Sequence, residues 1–123
     1  MTTEEMTERL IERVRQMKSG VSFVDLVDAI GEEARGEHSI ESGLPQLKNI
    51  VWWSGLSETF IAAFASREFR DVVEPYSCSV LVYMFDGAML GLPLAKRQRP
   101  YKKPHWMPMT FALKKMRGER KCK

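Results

Sequence analysis

The chain has few of the residues that hold small domains together by covalent or metal bonds. Its 123 residues include two cysteines and two histidines. Cys78 lies in a strand-like run and Cys122 is the penultimate residue, so no disulfide framework is implied. No CxxC or HxxxH pair accompanies His38 or His105, which leaves no metal-ligand motif. We therefore predict a domain without disulfides, metal or cofactor, held together by the apolar core that 44% hydrophobic residues can supply.

Long apolar runs are also absent. The most apolar stretch, residues 80–94, is interrupted by Asp86, Gly87, Gly91 and Pro93. It is shorter than the roughly 20 residues that a membrane-spanning helix needs. Residues 1–5 are polar and acidic, unlike the start of a secretory signal. We expect a soluble, cytoplasmic protein.

Motifs of nucleotide and acyl chemistry are missing as well. The chain contains no GxxxxGK[ST] phosphate loop, no GxSxG elbow and no GxGxxG turn. Asp86 precedes Gly87 and is explained as a turn residue rather than a catalytic acid. The sequence therefore predicts a protein that is not an enzyme.

Charge is distributed unevenly along the chain. Residues 1–94 contain 8 Lys or Arg against 15 Asp or Glu, a net charge of −7. Residues 95–123 contain 11 basic residues opposed by Glu119 alone, a net charge of +10, which restores the total of +3. Such asymmetry predicts a surface that faces a polyanion.

The first half of the chain is predicted to be mainly helical. Thr2 with Glu5, and Ser22 with Asp25, resemble capping boxes ahead of apolar residues at helical spacing, which predicts helices over residues 3–18 and 22–30. Residues 31–48 are rich in charge and turn formers and predict a long surface connection, in which one helical turn is allowed. Residues 49–53 predict a strand, and a third helix follows over residues 57–70, with Ser57 as its N-cap.

The second half is predicted to form a small antiparallel sheet. Residues 73–76 and 80–85 have strand composition, and Asp86-Gly87 predicts a hairpin turn that folds residues 88–92 back. A final strand is predicted over residues 106–113, confined to a sheet edge by Pro108. We predict one domain over residues 1–113, with a basic loop at 95–105, and a disordered basic tail over 114–123.

The order of helix, helix, strand, capped helix and hairpin resembles that of a winged-helix domain, an elaborated helix-turn-helix fold used chiefly for DNA binding. The resemblance is one of architecture and covers residues 3–92. It implies an α+β fold of about three helices with a small antiparallel sheet and a basic C-terminal extension. It also implies that the 57–70 helix is the recognition helix, from which Arg67 and Arg70 would face DNA.

Basic side chains interleaved with aromatics follow the predicted hairpin. Cations neutralise phosphates, and a tyrosine can stack on an unpaired base. We predict non-catalytic binding of nucleic acid, with DNA favoured over RNA, through eight residues: Arg67, Arg70, Lys96, Arg97, Arg99, Tyr101, Lys102 and Lys103.

Three alternatives remain open at this point. The basic tract is able to pair with the acidic helices of the same chain, although exposed ion pairs contribute only about 0–1 kcal/mol each. A protein-interaction module is the main alternative function, with Trp52, Trp53 and residues 80–92 as its surface, although most of these residues are expected in the core. The chain offers no basic amphipathic helix of convincing length, so membrane binding is not predicted. Target sequence and homodimer formation are left open.

Overall fold

Five α-helices and two three-stranded sheets make up the part of the chain that the computed structural model describes, residues 1–42, 48–95 and 99–114. The helices are α1 (Thr3–Met17), α2 (Phe23–Ile30), α3 (Glu58–Phe64), α4 (Arg67–Val72) and α5 (Val80–Asp86). The strands are β1 (Val21–Ser22), β2 (Arg35–Glu41), β3 (Ile50–Leu56), β4 (Val73–Ser77), β5 (His105–Trp106) and β6 (Met109–Leu113). The predicted α+β class is confirmed. Among the described helices, none is both long and apolar enough to cross a bilayer.

The first two helices begin where their capping residues predict. The Thr2 hydroxyl accepts the Glu5 N–H at 3.1 Å and starts α1. Ser22 and Asp25 form a complete capping box at α2, in which each side chain accepts the other's backbone N–H. These bonds join residues three apart, so both helix starts are set by local sequence.

The connection between α2 and β3 is more ordered than predicted. After a 3₁₀ helix (Glu32–Ala34), β2 pairs with β3 in an irregular antiparallel hairpin. Within β2, Ile40 is the buried residue, so the strand lacks an alternating apolar pattern. Gly36 allows the two backbones to approach, since a Cβ there would lie 2.6 Å from the Leu56 carbonyl oxygen. The prediction of a surface connection over 31–48 is therefore wrong for β2, and residues 43–47 lie outside the described part.

The predicted helix over residues 57–70 is two helices. The Ser57 hydroxyl accepts the Phe60 N–H at 3.1 Å, which confirms the predicted N-cap of α3. The Ser66 hydroxyl then accepts the Phe69 N–H at 3.2 Å and starts α4. A serine that bonds its own backbone in this way interrupts a helix. Arg67 and Arg70 therefore lie on a separate short helix, not on the end of one recognition helix.

Residues 80–92 do not form the predicted hairpin. Residues 80–86 are the helix α5, and residues 88–92 form no strand. Gly87 has the positive φ expected of it, 82°, but ends α5 as its C-cap instead of turning a hairpin. Tyr83 explains the difference, because its buried hydroxyl accepts the Phe23 N–H at 3.0 Å and donates to the Met109 carbonyl at 2.6 Å. This tertiary contact overrides the strand propensity of the segment.

The two sheets differ in strand direction. The first sheet has the order β1-β6-β4 and is antiparallel throughout, whereas in the second, β2-β3-β5, the β3–β5 pair is parallel. The strands predicted at 49–53 and 73–76 are confirmed as β3 and β4. The single edge strand predicted over 106–113 is wrong, because Pro108 separates β5 from β6 and β6 is the central strand of the first sheet.

Aromatic rings fill the centre of the core. Trp53 packs against Phe23, Tyr83 and Trp106 with ring centroids 5.0–6.1 Å apart. Trp52 is half-buried against Phe64 and Phe111. Both tryptophans therefore serve packing, as expected for most of the aromatic residues, and not a presented surface.

Candidate nucleic-acid interface

The eight predicted binding residues fall into three groups. Arg67 and Arg70 lie on α4, while Arg99, Tyr101, Lys102 and Lys103 lie in the loop that leads into β5. Lys96 and Arg97 lie outside the described residues, as does the predicted tail beyond Lys114.

Three hydrogen bonds hold the basic loop against the residues that precede β3. The Tyr101 N–H donates to the Lys48 carbonyl at 3.0 Å, and the His105 N–H donates to the Asn49 carbonyl at 2.8 Å. The Asn49 side-chain amide donates to the Tyr101 carbonyl at 2.8 Å. Asn49 adopts a positive φ of 62°, a conformation that asparagine tolerates better than most residues. The loop is thus tied to the second sheet at both Tyr101 and His105.

An aromatic stack lies in the middle of the loop. The rings of Tyr101 and His105 have centroids 4.0 Å apart and planes 20° apart. The Arg99 guanidinium carbon lies 5.1 Å from the Tyr101 ring centroid, within cation–π range. His105 Nδ1 lies 2.8 Å from the Lys103 carbonyl oxygen. A neutral His105 that donates this bond carries its proton on Nδ1 and leaves Nε2 as an acceptor.

The stack refines the role predicted for Tyr101. One face of its ring is covered by His105, and the Arg99 guanidinium lies over the same ring, so Tyr101 is not the bare stacking platform that the sequence predicted. His105 therefore lies beside the predicted site residue Tyr101, although the sequence prediction did not include it. Its only signal was its position two residues after Lys103, inside the basic and aromatic tract.

Three cations in the described part of the loop are exposed to solvent. Arg99, Lys102 and Lys103 are exposed. Within residues 1–42, 48–95 and 99–114, none of the ion pairs involves these three side chains. Pairing with the chain's own acidic helices is therefore not observed for these three cations among the described residues.

Arg67 and Arg70 lie at the other end of the first sheet. Helix α4 leads into β4 at Val73, which pairs with Leu113, whereas the basic loop leads towards Met109, which pairs with Ser77. The four residue steps between Met109 and Leu113 correspond to about 13 Å at the usual rise of a strand. The segments that carry the two groups therefore join β4 and β6 at opposite ends of this strand pair.

The surface beside α4 is acidic. A groove of about 900 Å³ lies between α1 and α4, lined by the glutamates Glu4, Glu5, Glu8, Glu12 and Glu68 together with Arg9 and Arg15. Arg67 Nε also lies 3.9 Å from Asp71 Oδ2. Carboxylates repel phosphate, so this surface is less suited to nucleic acid than the basic loop is.

A second exposed surface lies on α5. Leu81, Met84 and Phe85 are exposed, as is Met89 just beyond the helix. Cys78, two residues before α5, is half-buried, and burial raises the pKa of its thiol. It therefore behaves as a small apolar residue, as the sequence indicated.

The described residues hold no group of three or more His, Cys, Asp or Glu side chains arranged to bind a metal ion. Comparison of the chain with protein families, with curated protein sequences and with solved structures finds no significant match.

Proposed function

We propose that the chain is a non-catalytic nucleic-acid-binding domain whose main contact is the basic loop at 95–105. The observation that carries the proposal is the set of exposed cations around a stacked aromatic pair. Lys102 and Lys103 supply positive charge to phosphates, and the Tyr101–His105 pair supplies a flat ring surface. The hydrogen bonds that join Tyr101 and His105 to Lys48 and Asn49 hold this part of the loop in place before a ligand arrives, which lowers the entropy cost of binding.

We also propose a winged-helix arrangement, which makes DNA the favoured target. In that fold the wing is a hairpin of two paired strands. Its last strand also pairs with a strand that follows the first helix, and so becomes the centre of a three-stranded sheet. The order β1-β6-β4 fits this scheme, with β4 and β6 as the hairpin strands. Residues 78–108 would then be the wing, in place of the shorter hairpin predicted at Asp86-Gly87. Helices α3 and α4 precede β4, at the recognition position, where Arg67 and Arg70 would form a second contact with the same DNA.

The test is a fluorescence-anisotropy titration of the full chain with generic duplex and single-stranded oligonucleotides. The variant Lys102→Gln/Lys103→Gln removes two loop charges, and Arg9→Gln/Arg15→Gln is its control, because it removes two exposed charges from the acidic groove. We expect the loop variant to lose about tenfold or more in affinity and to lower the salt slope by about 2. The control should bind like the wild type. Unchanged binding by the loop variant, or an equal loss in both, would contradict the proposal.

Protein–protein interaction is the second candidate function. It is favoured by the exposed apolar residues of α5, although the buried Trp53 and half-buried Trp52 contribute little to such a surface. This candidate predicts that high salt leaves partner binding largely unchanged, whereas nucleic-acid binding would weaken steeply.

A further inference from the structure

Helix α5 presents a row of large apolar side chains to solvent. We call Leu81, Met84, Phe85 and Met89 the α5 patch, and their exposed fractions are 56%, 54%, 91% and 54%. Leu81, Met84 and Phe85 have the i, i+3, i+4 spacing of one helix face, and Met89 continues the row past Gly87. Together they expose roughly 500 Å² of side chain, given the area of about 200 Å² typical of such residues, which is at the size where patches become functional.

The α5 patch is displayed on a firmly held helix. The opposite side of α5 is anchored by the fully buried Tyr83, through its two hydrogen bonds to Phe23 and Met109. The end of α5 is anchored by Asp86, whose Oδ2 accepts the Ser22 hydroxyl at 2.5 Å. Rotating the apolar face inwards would break these bonds. The exposure of Phe85 is therefore built into the fold.

The charge of this segment indicates the partner. From residue 75 to residue 95 the sole charged residue in the sequence is Asp86, and its carboxylate is bound to Ser22. In a two-fold symmetric contact each side chain meets the same patch on the second molecule, so a charged patch would repel its copy. The α5 patch has no such charge. A partner with a charged docking surface would find nothing to pair with here.

We propose that two copies of the chain form a symmetric dimer by packing their α5 patches together, with Phe85 at the centre. A typical stable interface covers about 800 Å² on each partner. The α5 patch supplies more than half of this area.

The dimer would place two basic loops in one assembly, a consequence that rests on the proposed nucleic-acid binding. Residues 93–95 follow α5 and run beside Trp106, since the Trp106 N–H donates to the Pro93 carbonyl and the Ala95 N–H donates to the Trp106 carbonyl. The α5 patch and the basic loop thus belong to one connected segment, so binding by one loop would raise the effective concentration of nucleic acid at the other.

The experiment is analytical ultracentrifugation of the full chain from about 1 to about 100 µM, the range in which an interface of this size is expected to dissociate. The test variant is Phe85→Lys and the control is Met17→Lys, an apolar residue exposed by 41% at the end of α1. Both sites lie at helix C-termini, where lysine suits the helix dipole. We expect a dimer for the wild type and the control, and at least tenfold weaker association for Phe85→Lys.

Met89→Lys provides a second disruption outside the helix, in case Phe85→Lys fails to fold by circular dichroism. A wild type that is monomeric at about 100 µM would overturn the proposal, whether or not α5 then binds another protein or a lipid vesicle. A dimer that both lysine variants leave intact would overturn it as well. Loss of nucleic-acid binding with the dimer retained would count against the proposed function alone.

Discussion

Helices α1–α4 with strands β1–β4 and β6, which we call the framework, differ in surface character from the described part of residues 78–108, the connection between β4 and β6. Among its described large apolar residues the framework exposes Met17 and Tyr76, and it exposes charges of both signs, several of them in ion pairs such as Arg13 with Asp28 and Arg67 with Asp71. The connection exposes apolar side chains on α5 and, among the described residues of the basic loop, the cations Arg99, Lys102 and Lys103, which form no ion pair there. This contrast in exposed surface is the reason that both proposals place partner binding on the connection.

The largest effect is expected where this connection is anchored to the framework. Tyr83→Ala should destabilise the fold by about 3–5 kcal/mol, because it removes a fully buried aromatic side chain. Tyr83→Phe keeps the ring but leaves the Phe23 N–H and the Met109 carbonyl unpaired, and should cost about 1–3 kcal/mol. Urea denaturation measures both. A Tyr83→Phe variant as stable as the wild type would show that the connection is not held by these bonds.

The framework hairpin should be the next most sensitive point. Gly36→Ala would place a Cβ 2.6 Å from the Leu56 carbonyl oxygen and 2.7 Å from the Ser57 Cα, both backbone atoms. We expect a loss of about 1–3 kcal/mol in unfolding free energy. Gly91→Ala in the connection is the control, since nothing lies within 4 Å of its added Cβ, and it should be nearly neutral. Equal effects from the two would remove this contrast between the regions.

A smaller effect is expected at the junction between α2 and α5. Ser22 caps α2 and donates to Asp86, so Ser22→Ala should lower stability by about 1–2 kcal/mol. Ser57→Ala removes the cap of α3 and its hydroxyl bond to the Glu33 carbonyl, without touching the connection. Hydrogen exchange should therefore show faster opening of α5 in Ser22→Ala only. Unchanged protection of α5 in that variant would argue against Asp86 as an anchor.

The smallest effect concerns the thiol of Cys78, the first residue of the connection. Because burial raises the pKa of Cys78, its thiolate fraction at pH 8 is lower in the folded protein than in the unfolded one. In a Cys122→Ser background, alkylation of Cys78 at pH 8 should be slow and should accelerate in urea. Equally fast alkylation with and without urea would mean that the Cys78 thiol is open to solvent in the folded protein.

Local sequence predicted the elements whose signals lie within a few residues. The Ser22–Asp25 box and the Ser57 cap join residues three apart, and the helices they start were found. Strand β2 was missed because its pairing with β3 depends on the close approach at Gly36, and α5 was missed because Tyr83 bonds to Phe23 and Met109, far away in sequence. Propensity alone could not reveal these distant contacts.

The features of the candidate site also divide into those that local sequence predicts and those that depend on distant contacts. The charge and exposure of Lys102 and Lys103 follow from composition. The Tyr101–His105 stack and its attachment to Asn49, 52 residues from Tyr101, depend on how β3 and β5 pair. No pattern within the basic tract encodes that pairing, so His105 and Asn49 could not be assigned from sequence.

The most direct test of nucleic-acid binding by the connection is an NMR titration of the ¹⁵N-labelled full chain with a short DNA duplex at low salt. The account predicts signal changes at residues 99–105 and at Lys48 and Asn49, with the α1 face that carries Glu4, Glu8 and Glu12 unaffected. Added changes in α4 would extend the contact to Arg67 and Arg70. No changes at low salt, or changes centred on the acidic groove between α1 and α4, would contradict the account.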